Sequence, residues 1–221
     1  MSVQMTGPRA VIFDVDGVLA DSEPLHLRAT QEVLGPRGTS YTERDNRAFF
    51  GKTDAEMLRV LRILFDLPQP TTALVEARTA HLVALIRAEA RPLPGVPAVP
   101  RALREAGLRL ALASASPRQV IRAILDAVGL AETFEAVVSG EDVARGKPAP
   151  DGFLLAARRL GVEPAACLVV EDSRNGVLAA KAAGMAVAAI PCAATRHEDF
   201  SGADRVLPSL EALPTLMETL R

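Results

Sequence analysis

The chain has 221 residues, 49% of them hydrophobic, with 25 basic and 27 acidic side chains and a formal net charge of −2. That length suits one core domain carrying a smaller insert, and that hydrophobic fraction supports a sizeable core. The near-neutral balance, with no basic run, argues against nucleic acid as a partner, so a phosphorylated ligand needs local cations rather than a global field.

In chain order, residues 9–13 read as a short buried strand, ended by Asp14, Asp16 and Gly17. Those charges cut the apolar run too early for a secretory signal, and no window reaches the ~18 apolar residues of a membrane span. The default location is the cytoplasm. Residues 23–89 show helical periodicity, as in Glu56-Met57-Leu58-Arg59-Val60-Leu61 and across 74–86, with breakers at Gly35-Pro36, Gly51 and Pro68-Gln69-Pro70. The stretch Arg91-Pro92-Leu93-Pro94-Gly95 suits a return linker. The spacing therefore places a core in residues 1–20 and 92–221 and an all-helical insert in 21–91.

Beyond the linker, strands and helices alternate. Helix 98–106 stops at Gly107 and strand 108–113 follows. Helix 117–128 has Pro117 in its first turn and Gly129 at its end. Strand 136–139, helix 151–160, strand 167–170, helix 174–183 and strand 186–190 come next, then a short strand at Val206-Leu207 and a last helix over 210–220. This rhythm predicts an α/β fold, a three-layer Rossmann-like parallel sheet covered on both faces. Ligands should gather at the carboxyl ends of the strands. Cys167 and Cys192 sit in apolar stretches with no Cys or His at metal-ligand spacing, and read as two buried thiols.

The polar residues fall where such a sheet would bring them together. Asp14 and Asp16 follow the first strand, Ser114 the second and Glu171-Asp172 the strand at 167–170, while Lys147 lies in the loop after the short strand at 136. Carboxylates gathered at one edge repel unless a cation joins them. Hard oxygen ligands without Cys or His favour Mg²⁺ over zinc. Lys147, Ser114 and the N-terminus of helix 117–128 would complete a phosphate site. Taken singly, each piece has a plainer reading. Asp14-Val15-Asp16-Gly17 could be a turn, Ser114-Ala115-Ser116-Pro117 a helix N-cap, Lys147 a solvated loop lysine and Glu171-Asp172-Ser173 the cap of the next helix.

Four segments carry a family resemblance: Phe13-Asp14-Val15-Asp16-Gly17-Val18-Leu19-Ala20-Asp21-Ser22-Glu23, Ala113-Ser114-Ala115-Ser116, Gly146-Lys147-Pro148-Ala149-Pro150-Asp151 and Val170-Glu171-Asp172-Ser173-Arg174-Asn175-Gly176. Over essentially its whole length the chain resembles the haloacid dehalogenase superfamily. The similar branch has a helical cap inserted after the first motif and includes β-phosphoglucomutase and sugar-phosphate phosphatases. The resemblance implies that Asp14 is the nucleophile and forms an aspartyl phosphate. It implies that Asp16 protonates the leaving oxygen and then activates the incoming nucleophile. It further implies Mg²⁺ on Asp14, Asp16 (through its carbonyl) and Asp172, with Glu171 close by. Ser114, the Ala115 N–H and Lys147 would stabilise the transferring phosphoryl group.

The insert should decide the outcome. A mutase needs a cation for a second phosphate, three residues after a Gly. In Gly51-Lys52-Thr53-Asp54 that place holds an acid, although Lys52 could substitute. Arg78 could bind substrate or be a solvated helix residue, and His26 could face the entrance or lie on the surface. The expectation is a phosphatase for a small phosphorylated metabolite, a sugar phosphate. A phosphosugar mutase is the alternative enzyme. A non-catalytic binding module would lack Asp14, Asp16, Lys147 or Asp172, and all four are present. The expected partners are that metabolite, no nucleic acid and no membrane, with the chain a monomer or weak dimer.

Overall fold

The computed structural model describes residues 7–49 and 52–220. Six parallel strands form one sheet in the order β3-β2-β1-β4-β5-β6. They are β1 (Ala10–Phe13), β2 (Arg109–Ala113), β3 (Ala136–Val138), β4 (Cys167–Glu171), β5 (Ala186–Ala189) and β6 (Arg205–Val206). The helices are α1 (Glu23–Leu34), α2 (Glu43–Arg47), α3 (Asp54–Leu64), α4 (Thr71–Glu89), α5 (Ala98–Glu105), α6 (Arg118–Val128), α7 (Asp151–Leu160), α8 (Arg174–Ala182) and α9 (Leu213–Thr219).

Strand β1 lies at the sheet centre and is buried throughout. Its side chains alternate between faces. Val11 and Phe13 join Leu110, Leu112, Leu168 and Val170 in one core, while Ala10 and Ile12 join Ala111, Ala113, Cys167 and Val169 in the other. A strand buried on both faces has no polar side to mark, which is why it reads as a continuous apolar run. Parallel pairing sets Phe13 opposite Leu112 and Val170. The residues that follow on all three strands therefore reach the same edge.

Between β1 and α5 the described residues form α1–α4, turns and isolated bridges joining Asp16 to Ala20 and Ala20 to Pro92, and no strand. α1 packs on α4, and α4 packs on α6 of the core. Near the sheet, Leu25, Ala29, Leu82 and Ile86 share the core of β1. Farther out, Leu34, Tyr41, Met57, Leu58, Leu61, Leu67 and Leu74 form a small core of their own.

Three expectations need correcting. Neither serine of Ser114-Ala115-Ser116 caps α6, because Pro117 is its N-cap and makes no side-chain cap bond. The last helix is broken into a 3₁₀ turn (Leu210–Ala212) and α9, with Pro214 in the first turn of α9, where its missing N–H costs nothing. Cys192 is half-buried rather than buried, whereas Cys167 is enclosed. Burial pushes the Cys167 thiol up to about 11.

Candidate active site

Asp14 leaves the end of β1 and is 6% exposed. Its backbone N–H still donates to the Val170 carbonyl, which holds it beside the end of β4. There Glu171 ends the strand and Asp172 follows it. One oxygen each of Asp14, Glu171 and Asp172 lie within 4.8 Å of one another, all three residues buried. Lys147 is the cation among them. Its Nζ donates to Asp14 Oδ1 and Glu171 Oε1, and it stands 5.1 Å above the centre of the Phe153 ring.

The second oxygens differ. Glu171 Oε2 accepts from the Asp172 and Ser173 N–H groups and the Ser173 hydroxyl, each at 2.9 Å. Both Glu171 oxygens are thereby engaged. Asp172 Oδ2 faces Cys192 Sγ at 3.1 Å and Thr195 Oγ1 at 3.4 Å. Asp14 Oδ2 and Asp172 Oδ1 have no partner among the described residues. Burial, with Glu171 and Asp16 adding repulsion, lifts the Asp14 carboxyl to about 8 despite Lys147. Burial and Glu171 likewise raise Asp172 well above the usual range. The cluster carries more negative charge than Lys147 neutralises, so it fits a divalent cation. Two glycines permit the crowding. A Cβ on Gly17, whose φ is +74°, would stand 2.1 Å from Asp172 Oδ2, and one on Gly176 would overlap the Glu171 carboxylate.

Asp16 is held differently. Its Oδ1 accepts from the Ser22 hydroxyl at 2.6 Å and lies 2.9 Å from His26 Nε2. Its Oδ2 accepts from Ser116 at 2.8 Å and Ser114 at 3.3 Å. Burial works against the charge, but His26 and the hydroxyls outweigh it and hold the carboxyl well below its ordinary value. His26 in turn faces Arg78, whose Nη2 donates to His26 Nδ1 at 3.0 Å. The neutral imidazole therefore carries its proton on Nε2, toward Asp16. Burial disfavours the imidazolium, yet the Asp16 carboxylate raises the His26 pKa overall.

Arg78 is 2% exposed and has no free donor face: Nε donates to Thr30, Nη1 pairs with Asp54 at 2.6 Å and Nη2 serves His26. The surface reading of His26 and the solvated reading of Arg78 are thus overturned, because α1 and α4 pack these faces together. Asp54 opens α3 and is neutralised by Arg78. Lys52 also lines the cavity and has no ion-pair partner among the described residues. Phe50 and Gly51 lie outside the described residues. Arg118 points elsewhere, paired with Asp142 at 2.6 Å. His81 and His197 are exposed.

One cavity of about 60 Å³ lies between the sheet edge and the helices that follow β1, lined by Asp14, Asp16, His26, Lys52, Arg78, Ala115, Lys147 and Asp172. Ser114 reaches it through Asp16 and the Ser116 N–H. Glu23, Asn46, Ser116 and Thr195 line it too and were not singled out as site residues from sequence. Ser116 and Glu23 stood inside the quoted motifs. Asn46 and Thr195 carry no local signal, being ordinary polar residues whose place depends on the fold.

A family model of haloacid dehalogenase-like hydrolases matches residues 8–184. The chain belongs to that family. It is 36% identical to protein CbbY of Rhodobacter capsulatus over 217 residues, 94% of this chain and 96% of that one. It is 36% identical to hexitol phosphatase B of Escherichia coli (strain K12) over 221 residues, 95% of this chain and 97% of that one. The crystal structure of CbbY from Rhodobacter sphaeroides in complex with phosphate superposes with a TM-score of 0.85 at 35% identity, covering 93% of this chain and 96% of that one.

Proposed function

We propose that this protein is a Mg²⁺-dependent phosphatase for a small sugar or polyol phosphate, with residues 21–91 acting as a cap. One observation carries the reading. Asp14, whose Oδ2 has no partner among the described residues, lines the cavity where Lys147, Asp16 and Asp172 converge. In the proposed reaction Asp14 attacks phosphorus, the bond to the ester oxygen breaks, and that oxygen takes a proton from Asp16. Asp16 is held as a carboxylate in the ligand-free site. A bound phosphate adds negative charge beside it and raises its affinity for a proton. In the second half Asp16 takes a proton from water, the oxygen attacks phosphorus, and the bond to Asp14 breaks. Ser114, the Ala115 N–H and Lys147 would hold the phosphoryl oxygens. Asp14, Asp172 and the Asp16 carbonyl would ligate Mg²⁺, whose chemistry is to neutralise charge on the transferring phosphoryl group. Glu171, with both oxygens engaged, positions Lys147 instead.

Hydrolysis is favoured over isomerisation because Arg78 is consumed by Asp54, Thr30 and His26. Among the described residues that line the inner cavity, Lys52 is the cation left for a second phosphate. Among sugar and polyol phosphates, substitution Asp14→Asn should abolish phosphate release, by at least ~10³-fold, with the fold retained. EDTA should stop the reaction and Mg²⁺ restore it. Faster conversion of glucose 1-phosphate to glucose 6-phosphate than release of phosphate would overturn hydrolysis in favour of the mutase.

A further inference from the structure

The inner cavity, about 60 Å³, holds a phosphoryl group and little more. The rest of an ester must extend outward. A second cavity of about 480 Å³ opens between α1, α2 and the loop at Ala193-Ala194, and it shares two lining residues with the first, Glu23 and Asn46. They form the neck between the two spaces.

Both residues present uncommitted polar atoms there. Asn46 is 7% exposed, and its Oδ1 accepts from the Tyr41 hydroxyl at 3.0 Å. Tyr41 is itself buried in the insert's core. That bond fixes the amide, so its NH₂ is the group left over, without a partner among the described residues. Glu23, in the first turn of α1, likewise has no hydrogen-bond partner among them. No side-chain nitrogen or oxygen that is both fully enclosed and unpaired exists among the described residues, so these atoms face open space. The opposite exit, a cavity of about 470 Å³ past Asp54 and Ala115, offers no such pair at its junction. Asp54 is committed to Arg78, and Ala115 has only a methyl group.

We infer that Glu23 and Asn46 are specificity residues that read hydroxyl groups on the leaving group of the ester. The inference rests on the phosphatase reading above. A hydroxyl both donates and accepts, which matches a carboxylate acceptor beside an amide donor. The leaving group that this neck fits is a polyol or sugar, whose hydroxyls can both donate and accept.

The test uses two isosteric variants, Glu23→Gln and Asn46→Asp; the second keeps an acceptor for Tyr41 and removes the amide donors. Phosphate release is measured from fructose 1-phosphate, sorbitol 6-phosphate and p-nitrophenyl phosphate, the last lacking hydroxyls. Melting curves confirm that both variants fold. The wild type should prefer at least one hydroxylated ester. Each variant should lower the ratio of kcat/KM for that ester over the aryl ester at least fivefold. A smaller fall in either variant, or no preference in the wild type, would overturn the inference. Release from none of the three esters by the wild type would overturn the phosphatase reading itself.

Discussion

The side chains that govern this site work through other side chains. Asp54 neutralises Arg78, Arg78 turns His26, and His26 meets Asp16. Cutting the relay at Arg78 should be costly, because the buried Asp54 carboxylate would lose its partner. Arg78→Met should destabilise the protein by about 3–5 kcal/mol in denaturant unfolding. His26→Ala should spare stability more and lower kcat by roughly 10–100-fold, less than the ~10²–10⁴-fold of a direct general acid or base, because His26 acts through Asp16. The thiols offer a chemical check on burial. The thiolate is the reactive form, and the Cys167 pKa, raised to about 11, leaves almost none of it at pH 8. A thiol reagent at that pH should therefore modify only half-buried Cys192 in the native protein, and both cysteines after unfolding; modification of two thiols in the native state would contradict the burial of Cys167. At this scale the sequence marked Asp14, Asp16, Ser114, Lys147 and Asp172 because each stands at a strand end. It could not show that Arg78 and Asp54, 24 positions apart, lie 2.6 Å from one another.

The elements owe their positions to local signals of different strength. Helix α3 begins with a capping box: Thr53 Oγ1 accepts from the Glu56 N–H, and the Glu56 carboxylate accepts from the Thr53 N–H at 2.8 Å. Thr53→Ala should cost about 1 kcal/mol in thermal or denaturant unfolding. No change should follow if the cap were idle. Helices α6 and α7 end at Gly129 and Gly161, both in the left-handed region that glycine favours, and these ends were readable from sequence. The start of α6 was placed within one residue by Pro117, but the plainer reading of its serines as a cap fails. Ser116 has the character of an N-cap, but its hydroxyl goes to Asp16 instead. A local propensity lost to a tertiary hydrogen bond 100 residues away in sequence. Strand β6, two exposed residues at the sheet edge, was only faintly marked, because so short and exposed a strand leaves no apolar run or alternation to read.

Across the whole molecule, folding gathers acid groups that repel one another, and a bound cation relieves that repulsion. Under the proposed function, Mg²⁺ binding to the native state alone would stabilise it by about 2.7 kcal/mol at a hundredfold excess over Kd. The melting temperature should therefore rise by several degrees with Mg²⁺. Asp172→Ala should remove most of that rise; a rise equal to that of the wild type would place the ion elsewhere. Among the described residues no helix is long and apolar enough to cross a membrane. By itself, the sequence marked the parallel sheet, the helical stretch after β1 and the polar residues at the strand ends. Those depend on short-range periodicity and on the rule that strands of a parallel sheet present their ends to one edge. Only the tertiary structure decided which insert residues face that edge. Their places follow from how α1, α2 and α4 pack, a sum of many weak apolar contacts that leaves no motif. That packing committed Arg78 to Asp54 and left Glu23 and Asn46 at the neck between two cavities, where the inferred leaving group would lie.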